Sequence, residues 1–378
     1  MNIDEIIDNI DSNNLNIAFG RVVNISAVTL TAVGLDVAVG DIVRIESVQK
    51  LYTVLGMVTV LNDDMFVIVP FSFIDGFKIN DKVFLQRDGL TIKCGNGLLG
   101  RVVNALGEPI DDLGKIRDLD TNAPINKESM SPLDRGIIDQ KFATGVKAID
   151  SMLTCGKGQK VGIFAGSGVG KSTLMGMIVQ GCEATIKVIA LVGERGREIP
   201  EFIHYNLNNN LENTVIVTAT SDESPLMRKY AAFTAMSIAE YFRDKGHDVL
   251  LMMDSVTRFA MAQREIGLST GEPPVSRGYP PSVFALLPQL MERAGNSKKG
   301  SITAFFTVLV DGDDLNDPIA DQSRSILDGH IVLTRDLTEQ GFYPPINILK
   351  SASRVIDKVV TKEHYNDFLK LKRVLSLI

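Results

Sequence analysis

From residue 17 to about residue 87 the chain alternates apolar and polar positions over short β-branched stretches, at 18–23, 41–45, 58–61, 65–69 and 82–85, separated by Gly, Asn and Asp. A two-residue period cut at this spacing by turn formers predicts the strands of a small barrel. Further on the pattern changes. Apolar runs at 159–164, 187–192, 214–218, 249–253, 301–308 and 330–333 lose the alternation, and helical periodicity lies between several of them. Strands covered on both faces read this way, so this half predicts a mostly parallel sheet flanked by helices. Residues 97–103 and the Pro- and Asp-rich stretch 108–135 read as a connecting segment, and residues 1–15 set Ile and Leu among Asp and Asn at roughly helical spacing, predicting a short arm. Residues after Arg354 read as helical and are too few for a domain.

One apolar run opens into a loop with specific chemistry: residues 161–174 read Val-Gly-Ile-Phe-Ala-Gly-Ser-Gly-Val-Gly-Lys-Ser-Thr-Leu. Gly166, Gly168 and Gly170 free the backbone to turn successive N–H groups toward one anion, which the positive end of the following helix also favours. The phosphate cradle is therefore Gly166, Ser167, Gly168, Val169, Gly170, Lys171, Ser172 and Thr173. Lys171 is expected on the β- and γ-phosphates, and Ser172 supplies a hydroxyl to a nucleotide-bound Mg2+, an ion that takes oxygen ligands shared with phosphates. Ala165 stands where the usual G-x-x-x-x-G-K-[ST] pattern has its first glycine. The later glycines and the Lys-Ser pair carry the contacts, so ATP and Mg2+ remain the expected cofactors. A turn between strand and helix with no ligand does not account for Lys-Ser at this spacing.

Two strand ends add carboxylates. The run 249–253 closes on Asp254, which can hold Mg2+ through water from the carboxyl end of a buried strand. The run at 187–192 leads into Gly-Glu-Arg-Gly-Arg-Glu at 193–198, where Glu194 is the candidate general base for an attacking water. The alternative is a solvated turn in which Glu194, Arg195, Arg197 and Glu198 pair among themselves. On residue pattern alone the two stand even.

Composition narrows the classes. A length of 378 residues exceeds one ordinary core, and 45% hydrophobic residues are enough to bury. With 39 basic and 46 acidic residues the net charge is −7, without a Lys/Arg-rich cluster, so no nucleic-acid partner is expected. Cys94, Cys155 and Cys182 form no C-x-x-C pair, which argues against a disulfide framework or zinc site and for a reducing compartment. No apolar run reaches the ~18 residues of a spanning helix.

Residues 165–173, 193–198 and 254–260 occur in the order and spacing of the rotary-ATPase superfamily. More narrowly, Thr-Gly-Val-Lys-Ala-Ile-Asp at 144–150, Gly-Glu-Pro-Pro at 271–274, Arg-Gly-Tyr-Pro-Pro-Ser-Val-Phe at 277–284, Asp-Pro-Ile-Ala-Asp at 317–321 and Ile-Leu-Asp-Gly-His at 326–330 resemble the type III protein export ATPases, particularly their flagellar branch. The resemblance covers roughly residues 17–356. It implies an α/β chain with a P-loop (RecA-like) core. The division is a 1–16 arm, a 17–90 β-barrel, a 91–345 nucleotide-binding domain and a 346–378 helical segment. Glu194 matches the catalytic glutamate, Tyr343 an aromatic residue that stacks on adenine, and Arg354 the arginine finger that reaches a neighbouring subunit's nucleotide. Arg195 and Arg258 match positions near the catalytic water.

The implied function is ATP hydrolysis at the interfaces of a homo-oligomeric ring, expected to be a hexamer, assisting release and unfolding of export substrates. The implied partners are a stator-like regulator at the N-terminus, a central stalk protein, chaperone–substrate complexes and a membrane export gate. The implied location is cytoplasmic, peripheral to the inner face of the membrane. Family members continue further past the finger, so either this chain has been cut short or its C-terminal domain is reduced. The alternatives are a catalytic subunit of a rotary proton or sodium ATPase and an RNA-translocating transcription terminator. Residues 17–87 lack the density of basic and aromatic side chains that the latter needs.

Overall fold

Six strands, β1 (Gly20–Ile25), β2 (Leu30–Val33), β3 (Ile42–Glu46), β4 (Thr53–Asn62), β5 (Met65–Pro70) and β6 (Lys82–Gln86), close into a barrel in the order β1-β2-β5-β4-β3-β6. Every pairing is antiparallel. The computed structural model describes residues 18–47, 52–87, 89–310 and 316–377, and the arm expected over 1–16 lies outside them. Inward-facing Val22, Leu30, Ala32, Val43, Ile45, Val58, Phe66, Ile68 and Val83 fill the barrel, as alternation along each strand requires. Gly56 is where two strands approach closely: a Cβ there would sit 2.4 Å from Ile68 Cγ2. Two features go beyond the sequence pattern. The four-residue β2 is too short to stand out, and β4 extends well before residue 58.

The chain divides into two compact units, one of residues up to Leu90 with Leu268–Glu272, the other of Thr91–Gly267 with Pro273–Ile378. In the second unit the strands are β7 (Thr91–Cys94), β8 (Val102–Val103), β9 (Thr121–Pro124), β10 (Lys141–Phe142), β11 (Cys155–Gly156), β12 (Lys160–Ala165), β13 (Ile186–Glu194), β14 (Thr214–Thr220), β15 (Asp248–Asp254), β16 (Gly295–Asn296), β17 (Ser301–Leu309), β18 (Gly329–Val332) and β19 (Ala352–Ser353). The main sheet has the order β19-β18-β12-β17-β15-β13-β14-β8, parallel except where β19 joins β18 and β16 joins β17. Residues 97–103, expected as connector, thus contribute β8 to the sheet edge. The last segment likewise begins with a strand, β19, before its helices.

The helices are α1 (Lys147–Met152), α2 (Lys171–Gly181), α3 (Glu198–Glu201), α4 (Pro225–Asp244), α5 (Val256–Ser269), α6 (Pro281–Met291), α7 (Pro318–Ile326), α8 (Arg335–Glu339), α9 (Ile356–Val359) and α10 (Lys362–Leu375). Leu174, Met175 and Ile178 of α2 pack into one buried cluster with Ile163, Ile189, Leu191, Ile216, Leu250 and Phe305 of the sheet. After β12 the chain crosses to β13, leaving β17 and β15 to fill the gap between them. In parallel sheets such a crossing leaves a crevice at the carboxyl ends of the strands, and the phosphate loop lies at that end of β12. Among the described residues no helix is long and apolar enough to cross a membrane.

Candidate active site

The phosphate loop leaves β12 at Ala165 and enters α2 at Lys171. Gly168 and Gly170 have φ of +77° and +90°, a region that side-chain-bearing residues rarely adopt. Val169 turns its side chain into the core, 1% exposed, so its contribution to a phosphate is its backbone. Arg335, at the start of α8, donates from Nη2 to the Ser167 carbonyl at 3.3 Å, bracing the loop. A cavity of about 570 Å3 opens over the loop glycines and Lys171, Ser172 and Thr173, and Glu194, Arg195, Glu198 and Arg258 also line it. Its volume falls within the ~300–1,000 Å3 usual for small-ligand sites.

Two neighbouring strand ends converge on Lys171. Its ammonium contacts Asp254 Oδ1, at the end of β15, and lies 3.7 Å from Glu194 Oε1, at the end of β13. Asp254 is 4% exposed, and its Oδ1 also accepts from Thr307 Oγ1 of β17 at 2.7 Å. Arg258 Nε stands 3.4 Å from Glu194 Oε1. That oxygen is buried yet makes no hydrogen bond within the protein, which leaves its acceptor capacity for a small polar group. Burial pushes the Glu194 carboxyl up to about 7, the Asp254 charge adds to the rise, and Lys171 and Arg258 offset part of it. A carboxylate this basic is suited to take a proton from water near neutral pH.

Residues 193–198 do not form one uniformly solvated turn. Glu194 points inward and is 8% exposed, whereas Arg195, with a side chain 66% exposed, pairs with Glu198 at 3.8 Å on the rim. Gly193 makes this possible with φ +68°, and the pairing of β13 with β14 slips between Val192 and Glu194. A Cβ on Gly193 would meet Arg258 Cδ at 3.0 Å, so glycine also makes room for that arginine.

Tyr343 and Arg354 do not line the cavity. Tyr343 is 67% exposed, in a turn whose Pro345 Cδ comes within 3.9 Å of the Cβ position at Gly170. Arg354 is exposed and donates from Nη2 to the Arg324 carbonyl at 3.2 Å. Thr307, Gly193 and Arg335 were not singled out in the sequence. Thr307 is one of three hydroxyl residues in the run 301–308, with Ser301 and Thr303, and nothing in the sequence sets it apart.

A strand-to-helix glycine loop with its lysine, facing carboxylates from two further strand ends, defines a P-loop nucleotide-hydrolysing enzyme. Residues 145–353 match the nucleotide-binding domain of the ATP synthase alpha/beta family. The chain is 59% identical over 361 residues to a flagellum-specific ATP synthase of Helicobacter pylori strain J99, a match covering 95% of this chain and 83% of the relative. The assembled ATPase EscN of the enteropathogenic E. coli type III secretion system superposes with a TM-score of 0.90 at 47% identity, over 94% of this chain and 86% of that one. EscN in complex with its central stalk EscO gives 0.87 at 46% identity, over 95% and 86%. The chain belongs to the ATP synthase alpha/beta family, in its flagellar and type III secretion ATPase branch, and is an ATPase. These relatives favour neither the rotary proton or sodium pump nor the RNA-translocating alternative.

Proposed function

We propose that this chain is the ring ATPase of a flagellar export apparatus, hydrolysing Mg-ATP in sites that a neighbouring copy completes, to assist release and unfolding of chaperone-bound substrates. The observation that carries this is the separation within one chain: Lys171 and Glu194 line the cavity, with Asp254 bonded to the lysine, whereas Arg354 is exposed, outside the lining, and bonded to the Arg324 carbonyl. A guanidinium so placed serves a second copy's nucleotide. Because one chain carries both halves, a closed ring of identical subunits repeats the composite site at every interface, and a hexamer is the expected closure.

Within the site, the loop N–H groups and Lys171 take the phosphates, and Lys171 exchanges Asp254 for the β- and γ-oxygens. The donor set suits magnesium: Ser172 offers a hydroxyl on the cavity wall and Asp254 a carboxylate that reaches through water, both oxygen ligands. Among the described residues no cluster of three or more His, Cys, Asp or Glu side chains could hold a metal without the nucleotide. When bound, the ion neutralises charge on the phosphate oxygens. Glu194 orients the attacking water and accepts its proton as the water oxygen bonds to the γ-phosphorus and ADP departs. Arg258 holds the Glu194 carboxylate in place, and Arg195 stands at the rim. Tyr343 stacks on the adenine. Arg354 from the neighbour offsets charge developing on the transferred phosphoryl, an effect worth ~10³–10⁵ in rate.

Further partners follow from the same reading. A central stalk, as EscN has in EscO, would engage the ring. A stator-like regulator would engage residues 1–16, and the ring would dock peripherally at the cytoplasmic side of an export gate. The test is steady-state ATP hydrolysis against protein concentration, with size by light scattering, for the chain and for Arg354→Ala. Specific activity should rise with assembly and fall at least ~10³-fold in the variant. Activity that ignores concentration and survives the loss of Arg354 would mean a self-contained monomeric ATPase.

A further inference from the structure

Asp254 Oδ1 is shared by two donors of different kinds. One is the Lys171 ammonium, on a flexible stem; the other is the Thr307 hydroxyl, fixed to β17 and fully buried. The pairing of β15 with β17 runs through Met253 opposite Phe306, so the next residues, Asp254 and Thr307, emerge side by side on one face of the sheet. Thr307 Oγ1 lies 2.7 Å from Asp254 Oδ1 and 3.3 Å from the Met253 carbonyl. Its single proton goes to the nearer, charged acceptor, since bonds to an ionised oxygen are the shorter and stronger ones.

We propose that Thr307 is the positioning residue that lets Lys171 leave Asp254: its hydroxyl stays on Oδ1 when the lysine moves to the phosphates. The inference rests on Lys171 binding those phosphates. Lys171 and Thr307 are the side-chain donors that Asp254 has among the described residues. Without Thr307, every transfer of the lysine to a nucleotide would strand a buried carboxylate with no donor, and an unpaired buried charge is among the costliest groups a protein can hold. With it, Oδ1 remains bonded throughout and Oδ2 is left for the water shell of the metal. Thr307 thus lowers the penalty of nucleotide entry without touching the nucleotide.

The experiment is binding of a fluorescent ATP analogue, with Mg2+ and with EDTA, to the chain, Thr307→Val, Thr307→Ser, Asp254→Asn and the Thr307→Val/Asp254→Asn double variant. Folding is followed by circular dichroism. Thr307→Val should weaken binding about tenfold in EDTA, the scale of a hydrogen bond to a charged group. The loss should be smaller with Mg2+, whose water shell gives the carboxylate another partner. Thr307→Ser, which keeps the hydroxyl, should bind as the parent does. In the Asp254→Asn background the Thr307→Val penalty should vanish, because no charge remains to be stranded. Undiminished binding by folded Thr307→Val, an equal loss in Thr307→Ser, or a loss that persists beside Asp254→Asn would each overturn the proposal. Thr307→Ala makes the same comparison if the valine variant does not fold. Lys171→Ala tests the underlying reading separately: unchanged nucleotide binding there would remove the lysine's phosphate role.

Discussion

Glu194 combines two environments in one side chain: burial that disfavours its charge, and two cations that restore part of it. As a general base it must be ionised, and its carboxyl is pushed up to about 7, so acidification through neutrality should switch the enzyme off. The expected kcat/KM profile rises with pH on an acidic limb near 7 and levels off above it. Glu194→Gln should bind nucleotide as the parent does while turnover falls at least ~100-fold, the lower end of what a general base contributes. Unchanged hydrolysis in that variant, or a profile flat across neutrality, would remove Glu194 from the base role. In the sequence this residue sat within a run of charges that could equally have been a solvated turn. Its inward orientation depends on the slip in strand pairing at Gly193, which lies outside any local pattern.

At the scale of elements, the site is strand ends held in register. Gly193→Ala combines φ +68° with a Cβ 3.0 Å from Arg258 Cδ. The left-handed conformation alone costs roughly 1–2 kcal/mol for a side-chain-bearing residue. Because the strain falls on the residue before Glu194, kcat should drop while nucleotide affinity changes little, a split that steady-state kinetics and direct binding read together. Helix α4 supports the sheet from behind and contains one costly feature. Glu240, 4% exposed, accepts from Nε and Nη2 of the fully buried Arg293, at 3.1 and 2.8 Å. Arg293 also donates to the Ile125 carbonyl at 2.8 Å, tying the preceding segment to the helix. Arg293→Met would remove both Arg293 hydrogen bonds to Glu240 and leave the Lys127 ammonium, 3.9 Å from Oε2, as its remaining cation, so it should destabilise the second unit by about 3 kcal/mol, the lower end for breaking a buried pair. Denaturant unfolding measures this, and a change under ~1 kcal/mol would mean the pair is better solvated than its burial implies.

For the whole molecule, the proposed sharing of each site between one copy's Glu194 and a neighbour's Arg354 makes a specific prediction about mixtures. Glu194→Gln and Arg354→Ala chains should each be inactive alone. In equal mixed rings, a site has both its own Glu194 and a neighbour's Arg354 about one time in four, so roughly a quarter of parental activity should return. No recovery on mixing would argue against sites shared between subunits. The sequence by itself determined the phosphate loop, because its glycines, lysine and serine are contiguous and their chemistry needs no distant partner. It also determined six strands of the main sheet, from apolar runs that read as buried on both faces, and the existence of a barrel from two-residue alternation. The tertiary structure alone decided what those elements do to one another. The strand order brings Glu194 and Asp254 from separate strands to one lysine, and Thr307 from a third strand to Asp254. Strand order, a pairing slip and the burial of a single hydroxyl are properties of the assembled sheet, since they arise from contacts between residues far apart in the chain.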